Sequence, residues 1–161
     1  MKKTNAMRIL DGANIPYEAK SYDDDGEHEL RRGAAAETSR KLGMPAERIF
    51  KTIVMRTEEK ETVVFCQSAS CEINLKKARK ACGAKEVAPV KTEELLPLTG
   101  YVRGGCSPIG MKRKFRTFID SSVMQYETVC VSAGVRGMQL VLSPADLIRI
   151  TGAVTVDLAL E

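Results

Sequence analysis

Residues 100–116 read GYVRGGCSPIGMKRKFR, with four glycines, five basic residues and no acid. Glycine tolerates positive φ and close approach, so Gly104, Gly105 and Gly110 could turn consecutive N–H groups toward an anion. Arg103, Lys112, Arg113, Lys114 and Arg116 would add charge beside them. Such a loop suits a phosphate or a ribose-phosphate end; a glycine-rich turn running into a solvated basic strand has the same composition. Two further groups could take part. Lys51 stands in an otherwise apolar run, IFKTIVMRT, and Ser132-Ala133-Gly134 ends another one.

The reactive types that are missing narrow the chemistry. The chain has one histidine, His28, set among Asp23, Asp24, Asp25, Glu27 and Glu29, where an exposed and non-catalytic imidazole is expected. Neither the GxxxxGK[ST] phosphate loop nor the GxSxG elbow occurs. The five cysteines, Cys66, Cys71, Cys82, Cys106 and Cys130, form no CxxC pair, so neither a zinc site nor a disulfide framework is indicated, and no metal or cofactor is expected. They read as reduced, mostly buried thiols. Cys106 is set apart by its basic neighbours, which could lower a thiol pKa. The remaining groups can bind and orient a phosphorylated or aminoacylated molecule but include no evident protein nucleophile.

The elements that must position these groups follow from periodicity and caps. A helix over 4–11 is capped by Thr4 or Asn5, with Met7 and Leu10 inward, and a strand over 15–22 ends at Tyr22. A helix over 33–42 leads through Pro45 into the strand 49–57, where Lys51, Ile53 and Met55 share one face and Phe50, Thr52, Val54 and Arg56 the other. Neither face is cleanly polar, so this strand is expected to be central, with Lys51 buried or half-buried. A lysine so placed requires an anion, pairs with a carboxylate such as Glu72, or snorkels to water. An antiparallel strand over 61–67 follows. Asn74 caps a helix over 75–82, and Thr92 caps another over 91–98. Strands are predicted over 115–120, 127–132 and 138–142, the last two forming a hairpin through AGVRG. Ser143, Pro144 and Asp146 start a helix that runs to Thr151, and AVTVDLAL closes the chain as a strand.

With 161 residues, 43% of them hydrophobic, the chain can bury one substantial core, so residues 1–161 are expected to form one domain. The class is mixed α/β, with a curved, largely antiparallel sheet and peripheral helices. No run approaches the roughly 18 apolar residues of a membrane span, and the N-terminus has no apolar signal core; a cytoplasmic protein without membrane contact is the expectation. The formal net charge is only +4. It is unevenly spread, with one basic cluster at Lys76, Lys77, Arg79, Lys80 and Lys85 and another at residues 112–116. Local basic patches on a nearly balanced protein fit a limited contact with an acidic partner, such as the end of an RNA.

Four segments in this order, IFKTIV, GYVRGGCSPIGMKRK, VSAGVRGMQL and PADLIRITGA, resemble the YbaK/ProX family of aminoacyl-tRNA deacylases, which is related to the editing domain of bacterial prolyl-tRNA synthetases. The SxGxRG-type strand end is most similar to the YbaK branch, whose members remove cysteine from mischarged Cys-tRNA(Pro). The resemblance implies that Lys51 matches the essential lysine holding the phosphate or ribose of the terminal adenosine. It implies that Tyr22 lines the pocket, that Gly104 contacts the aminoacyl end through its backbone, and that Ser132 lies at the pocket floor. Gly105 and Ser107 of the same loop, and Gly134 after Ser132, are counted with the substrate-binding positions. Ala133 stands where close relatives often have a second glycine, and Gln139 where some carry an acid.

The resemblance also supplies a mechanism without a protein nucleophile. The substrate's own thiol attacks its ester carbonyl, so the protein need only position and stabilise. It implies the aminoacyl-tRNA acceptor end as substrate and prolyl-tRNA synthetase as a partner supplying tRNA selection. Two other readings stand beside it: a non-catalytic tRNA- or nucleotide-binding module acting with a synthetase, and a deacylase for another small amino acid such as alanine.

Overall fold

In a computed structural model, which describes residues 2–23 and 34–160, the chain forms five α-helices and eight strands in two sheets. The predicted His28 and most of the acid-rich segment lie outside the described residues. Helix α1 (Asn5–Gly12) is followed by β1 (Glu18–Ser21), α2 (Ala34–Leu42), a 3-10 turn at Ala46–Arg48, β2 (Phe50–Thr57) and β3 (Thr62–Ser68). Then come α3 (Leu75–Cys82), β4 (Val87–Pro89), α4 (Thr92–Thr99), β5 (Arg116–Asp120) and a 3-10 turn at Ser121–Gln125. The chain ends through β6 (Val129–Ser132), β7 (Met138–Leu142), α5 (Pro144–Thr151) and β8 (Val154–Val156).

Local chemistry sets most boundaries. The Thr4 hydroxyl accepts from Met7 N–H, the Asn74 amide oxygen from Lys77 N–H and the Ser143 hydroxyl from Asp146 N–H, each at 3.2 Å, so each helix start has a side-chain acceptor for an otherwise orphaned donor. Helix α4 differs from the sequence expectation. Its cap position is Lys91 rather than Thr92, and the Glu94 carboxylate reaches back to accept from Lys91 N–H at 3.3 Å. The same carboxylate pairs with Arg56 at 2.6 Å, fastening α4 to β2.

The expected continuous sheet divides into two ladders, β1-β7-β6 and β4-β2-β3-β5-β8. Four of the strand pairs are antiparallel, as expected, but β5 runs parallel to both β3 and β8. Periodicity carries no information on strand direction. Parallel pairing needs a long crossover, and the segment holding α3, β4 and α4 is that crossover.

The five-stranded sheet is buried on both faces, which explains why β2 has no polar side. Phe50, Val54, Val64, Cys66 and Ile119 join the main core with Met7, Leu10, Leu140 and Leu147. On the other face Met55, Val63, Phe65 and Phe118 pack with Ala78 and Cys82 of α3 and with Leu158. The two sheets meet where Ile49, just before β2, forms a parallel bridge with Cys130 of β6.

Phe65 is fully buried and its ring stacks on Phe118 with centroids 5.6 Å apart. Truncation leaves a cavity that close-packed neighbours fill only in part. Phe65→Ala is expected to lower stability by about 3 to 5 kcal/mol, read as a fall in the chemical denaturation midpoint with an unchanged slope.

Candidate functional site

A cleft of about 910 Å³ opens where the two sheets meet. Its walls come from β2, the turn after β3, the start of α4, the loop after α4, and the β6–β7 hairpin, which contributes Ser132 and Gln139. Lys51, Gly104 and Ser132, more than eighty positions apart from first to last, thus line one site.

Lys51 is exposed, which corrects the expectation of a buried or half-buried lysine. The reason is in the ladder: β4 pairs with β2 only at Met55, Arg56 and Thr57, so the Lys51 end of β2 has β3 on one side and the open cleft on the other. Glu72 lines the same cleft, yet no ion pair joins it to Lys51 among the described residues. The ammonium group therefore faces the cleft without a carboxylate partner from the described chain.

The glycine-rich loop is organised by turns and close packing rather than as the expected row of free N–H groups. Gly105 N–H donates to Val102 O at 3.0 Å, closing a four-residue turn with Arg103 and Gly104 at its corner. Gly104 has φ +86°, a value that the third position takes in a type II turn and that favours glycine. A Cβ on Gly105 would lie 3.0 Å from both Arg136 N and Val135 C, so glycine lets this turn lie directly against the β6–β7 hairpin. Gly110 abuts α1, its carbonyl accepting from the Asn5 side chain at 2.8 Å. Of the three glycines, only Gly104 lines the cleft.

The other predicted site positions make different contacts. Ser107 is fully buried and its hydroxyl accepts from Ile109 N–H at 3.2 Å. Gly134 backs against the Tyr101 ring, whose hydroxyl donates to Ile109 O at 2.6 Å. Tyr22 packs beside Leu42, Met44, Ile49, Cys130 and Val141, and its N–H donates to Gly137 O at 2.9 Å. None of Tyr22, Gly105, Ser107 and Gly134 lines the cleft.

Two polar groups in the cleft wall stand out. Gln139, opposite Ser132 in the β6–β7 register, is 7% exposed, and its amide oxygen has no hydrogen-bond partner among the described residues. The Thr52 hydroxyl is likewise buried, and it lies across the β2–β3 ladder from the Cys66 thiol, to which it bonds. A buried polar atom left bare costs about 1 to 3 kcal/mol, and the Gln139 oxygen is itself closed off from the cleft space although its residue lines the wall. The Ser132 hydroxyl, by contrast, already accepts from Gly134 N–H at 3.2 Å. The sequence marked Gln139 only as a departure from relatives, and it passed over Thr52. The available signal was a hydroxyl on the same strand face as Phe50 and Val54.

Cys106 lines the cleft but is buried, and burial pushes its thiol up to about 11. This overturns the expectation that neighbouring cations lower it, because loss of hydration penalises the thiolate more than they favour it. Burial likewise pushes Cys66 up to about 12 and Cys130 up to about 11. Cys71 is the one cysteine that is not buried, and it too lines the cleft. Among the described residues no cluster of His, Cys, Asp or Glu is arranged to hold a metal ion, and no helix is long and apolar enough to cross a membrane.

Only a thiolate attacks an alkylating agent, and a thiol titrating near 11 is about one part in a thousand ionised at pH 8. Brief treatment of the native protein with iodoacetamide at pH 8 is expected to modify Cys71 alone. All five cysteines should react after denaturation, with the sites read by peptide mass spectrometry.

Comparison with known proteins gives a consistent picture. The model of the aminoacyl-tRNA editing domain matches residues 30–150. The chain is 40% identical over 150 residues to EbsC of Enterococcus faecalis, named as a Cys-tRNA(Pro)/Cys-tRNA(Cys) deacylase, covering 93% of this chain and 89% of that one. It is 29% identical over 119 residues to a proline–tRNA ligase of Brachyspira hyodysenteriae, covering 71% of this chain and 21% of the ligase. Among solved structures, one described as a trans-editing enzyme for prolyl-tRNA synthetase superposes with a TM-score of 0.83 at 22% identity over the full length of both chains. That structure supports the fold.

Proposed function

Because this chain belongs to the aminoacyl-tRNA editing domain family, we propose that it is a trans-editing deacylase that removes cysteine from mischarged Cys-tRNA(Pro). The observation that carries this reading is the content of the cleft: an exposed, unpaired Lys51 and the turn at Gly104, in a wall that Ser132 and Gln139 share. Those groups match an aminoacyl ester on a ribose-phosphate end. The ammonium meets a phosphate or ribose oxygen, and the backbone of the Arg103–Gly104 turn lies beside the aminoacyl end.

The chemistry then belongs to the substrate. The cysteinyl sulfur, as thiolate, attacks its own ester carbonyl, forming a C–S bond. The ester C–O bond breaks and the terminal ribose oxygen leaves, taking up a proton to become a hydroxyl. The other product is a cyclic thiolactone. Holding the two reacting groups in attack geometry supplies most of the acceleration, and Lys51 close to the developing negative charge supplies electrostatic support. A proline pocket excludes cysteine weakly, since small apolar differences are worth only about 1 to 3 kcal/mol, so a second site is chemically warranted. Prolyl-tRNA synthetase is the proposed source of tRNA selection.

The test is release of labelled cysteine from Cys-tRNA(Pro), with Pro-tRNA(Pro) and Ala-tRNA(Pro) as controls. Wild type is expected to release cysteine only. Lys51→Ala is expected to lose at least a hundredfold in rate, or about 2.7 kcal/mol, with an unchanged melting curve because the side chain is exposed. Cys71→Ala is expected to retain turnover. Loss of activity on that change would assign the nucleophile to the protein, and release of alanine would broaden the substrate range. Binding of tRNA without any release would instead identify a non-catalytic module.

A further inference from the structure

We propose that Lys91 and Arg103 form a phosphate track that carries the single-stranded nucleotides preceding the terminal adenosine of the tRNA into the cleft. The proposal rests on the deacylase reading for its substrate, and on geometry and charge for its location.

Among the described residues four charged side chains line the cleft, and three of them, Lys51, Lys91 and Arg103, are cations; Glu72 is the single acid of that set. All three cations are exposed, and none is in an ion pair among the described residues. For Lys91 this follows from how Glu94, three positions on, is used. The Glu94 carboxylate is held by Arg56 at 2.6 Å and by the backbone N–H of Lys91, so the Lys91 ammonium is left to the cleft. Arg103 occupies a turn corner whose backbone is fixed on both sides. The Val102–Gly105 hydrogen bond closes the turn, and Arg136 Nε donates to Arg103 O at 2.8 Å. A fixed backbone with a free guanidinium is preorganised for a phosphate, since less conformational freedom is lost on contact.

Size points the same way. A cleft of about 910 Å³ lies near the top of the range that encloses an entire small-molecule ligand, about 300 to 1,000 Å³, and a cysteinyl group fills only a small part of it. With Lys51 assigned to the terminal nucleotide, two further cations on the remaining wall match further backbone phosphates. The neighbouring apolar surface of Val102, 46% exposed, and Val135, 43% exposed, offers a dry face on which an unstacked base can rest. A polyanion fits this wall better than a neutral or cationic partner.

The experiment compares wild type, the Lys91→Gln/Arg103→Gln double variant and a Lys80→Gln control on α3, remote from the cleft lining. Two substrates are used: Cys-tRNA(Pro), and cysteinyl-adenosine, which carries the same ester without any phosphate. The double variant is expected to raise KM for Cys-tRNA(Pro) at least tenfold with kcat retained, and to flatten the slope of log kcat/KM against log salt by about 1.4, two contacts at about 0.7 each. It should turn over cysteinyl-adenosine like wild type, and Lys80→Gln should match wild type throughout. An unchanged KM and salt slope on the tRNA, or an equal loss on both substrates, overturns the track. Fluorescence anisotropy with a labelled oligonucleotide ending in CCA separates this proposal from the deacylase reading. If wild type hydrolyses neither substrate but binds the oligonucleotide in a manner abolished by the double variant, the track stands and the deacylase reading falls. If wild type hydrolyses the tRNA substrate and both proteins bind the oligonucleotide equally, the reverse holds.

Discussion

The bridge between Ile49 and Cys130, where two separately hydrogen-bonded sheets touch, is the constraint on which the site depends. A sheet buried on both faces must be covered on both, and here α3 covers one face while the three-stranded sheet, α1 and α5 cover the other. Because β4 is only three residues long and pairs with the far end of β2, the layers do not close completely beside Lys51. The cleft is the gap left by that short edge strand. It is walled by elements whose own positions are set by apolar packing elsewhere, so the site inherits their rigidity.

Buried polar groups divide into those the fold satisfies and those it leaves bare. Asp120 is 3% exposed but its carboxylate accepts from Ser122 N–H at 3.1 Å and Leu158 N–H at 2.7 Å. The Gln139 oxygen in the cleft wall and both amide atoms of Gln67, which is not among the lining residues, have no such partners among the described residues. Groups satisfied in this way hold the fold together, whereas a bare buried atom carries an uncompensated cost wherever it lies. The glycine-rich loop belongs largely to the first kind. Gly105, Gly110 and Gly134 let the loop pack against the hairpin, α1 and Tyr101, and only its corner, Arg103 and Gly104, and the buried Cys106 reach the cleft. Cys106 shows the same division, since its burial outweighs the cations near it in sequence.

Helices were legible because their signals are local. Thr4, Asn74 and Ser143 cap the helices they were expected to cap, and Gly83 and Gly152 follow the helices they were expected to end. The failure at α4 is informative: Thr92 looked like a cap, but the tertiary pair of Glu94 with Arg56 fixed the start one residue earlier. The β2–β3 and β6–β7 hairpins were read from alternation and turns. Strand β4 was too short to show a period, and the parallel placement of β5 depends on partners dozens of positions away.

The sequence alone determined the mixed α/β class, most helix ends, the two hairpins and the family, since each rests on contacts between near neighbours or on motifs read in order. It also singled out Lys51, Gly104 and Ser132. Tertiary structure decided what those residues face. It exposed Lys51, buried Cys106 and Ser107, turned Gly105 and Gly134 to packing, and brought Thr52, Lys91, Arg103 and Gln139 to the same cleft. Exposure and pairing are properties of the layers that meet around a residue, and a linear pattern carries the period of each strand without the identity of the strand or loop that lies across from it.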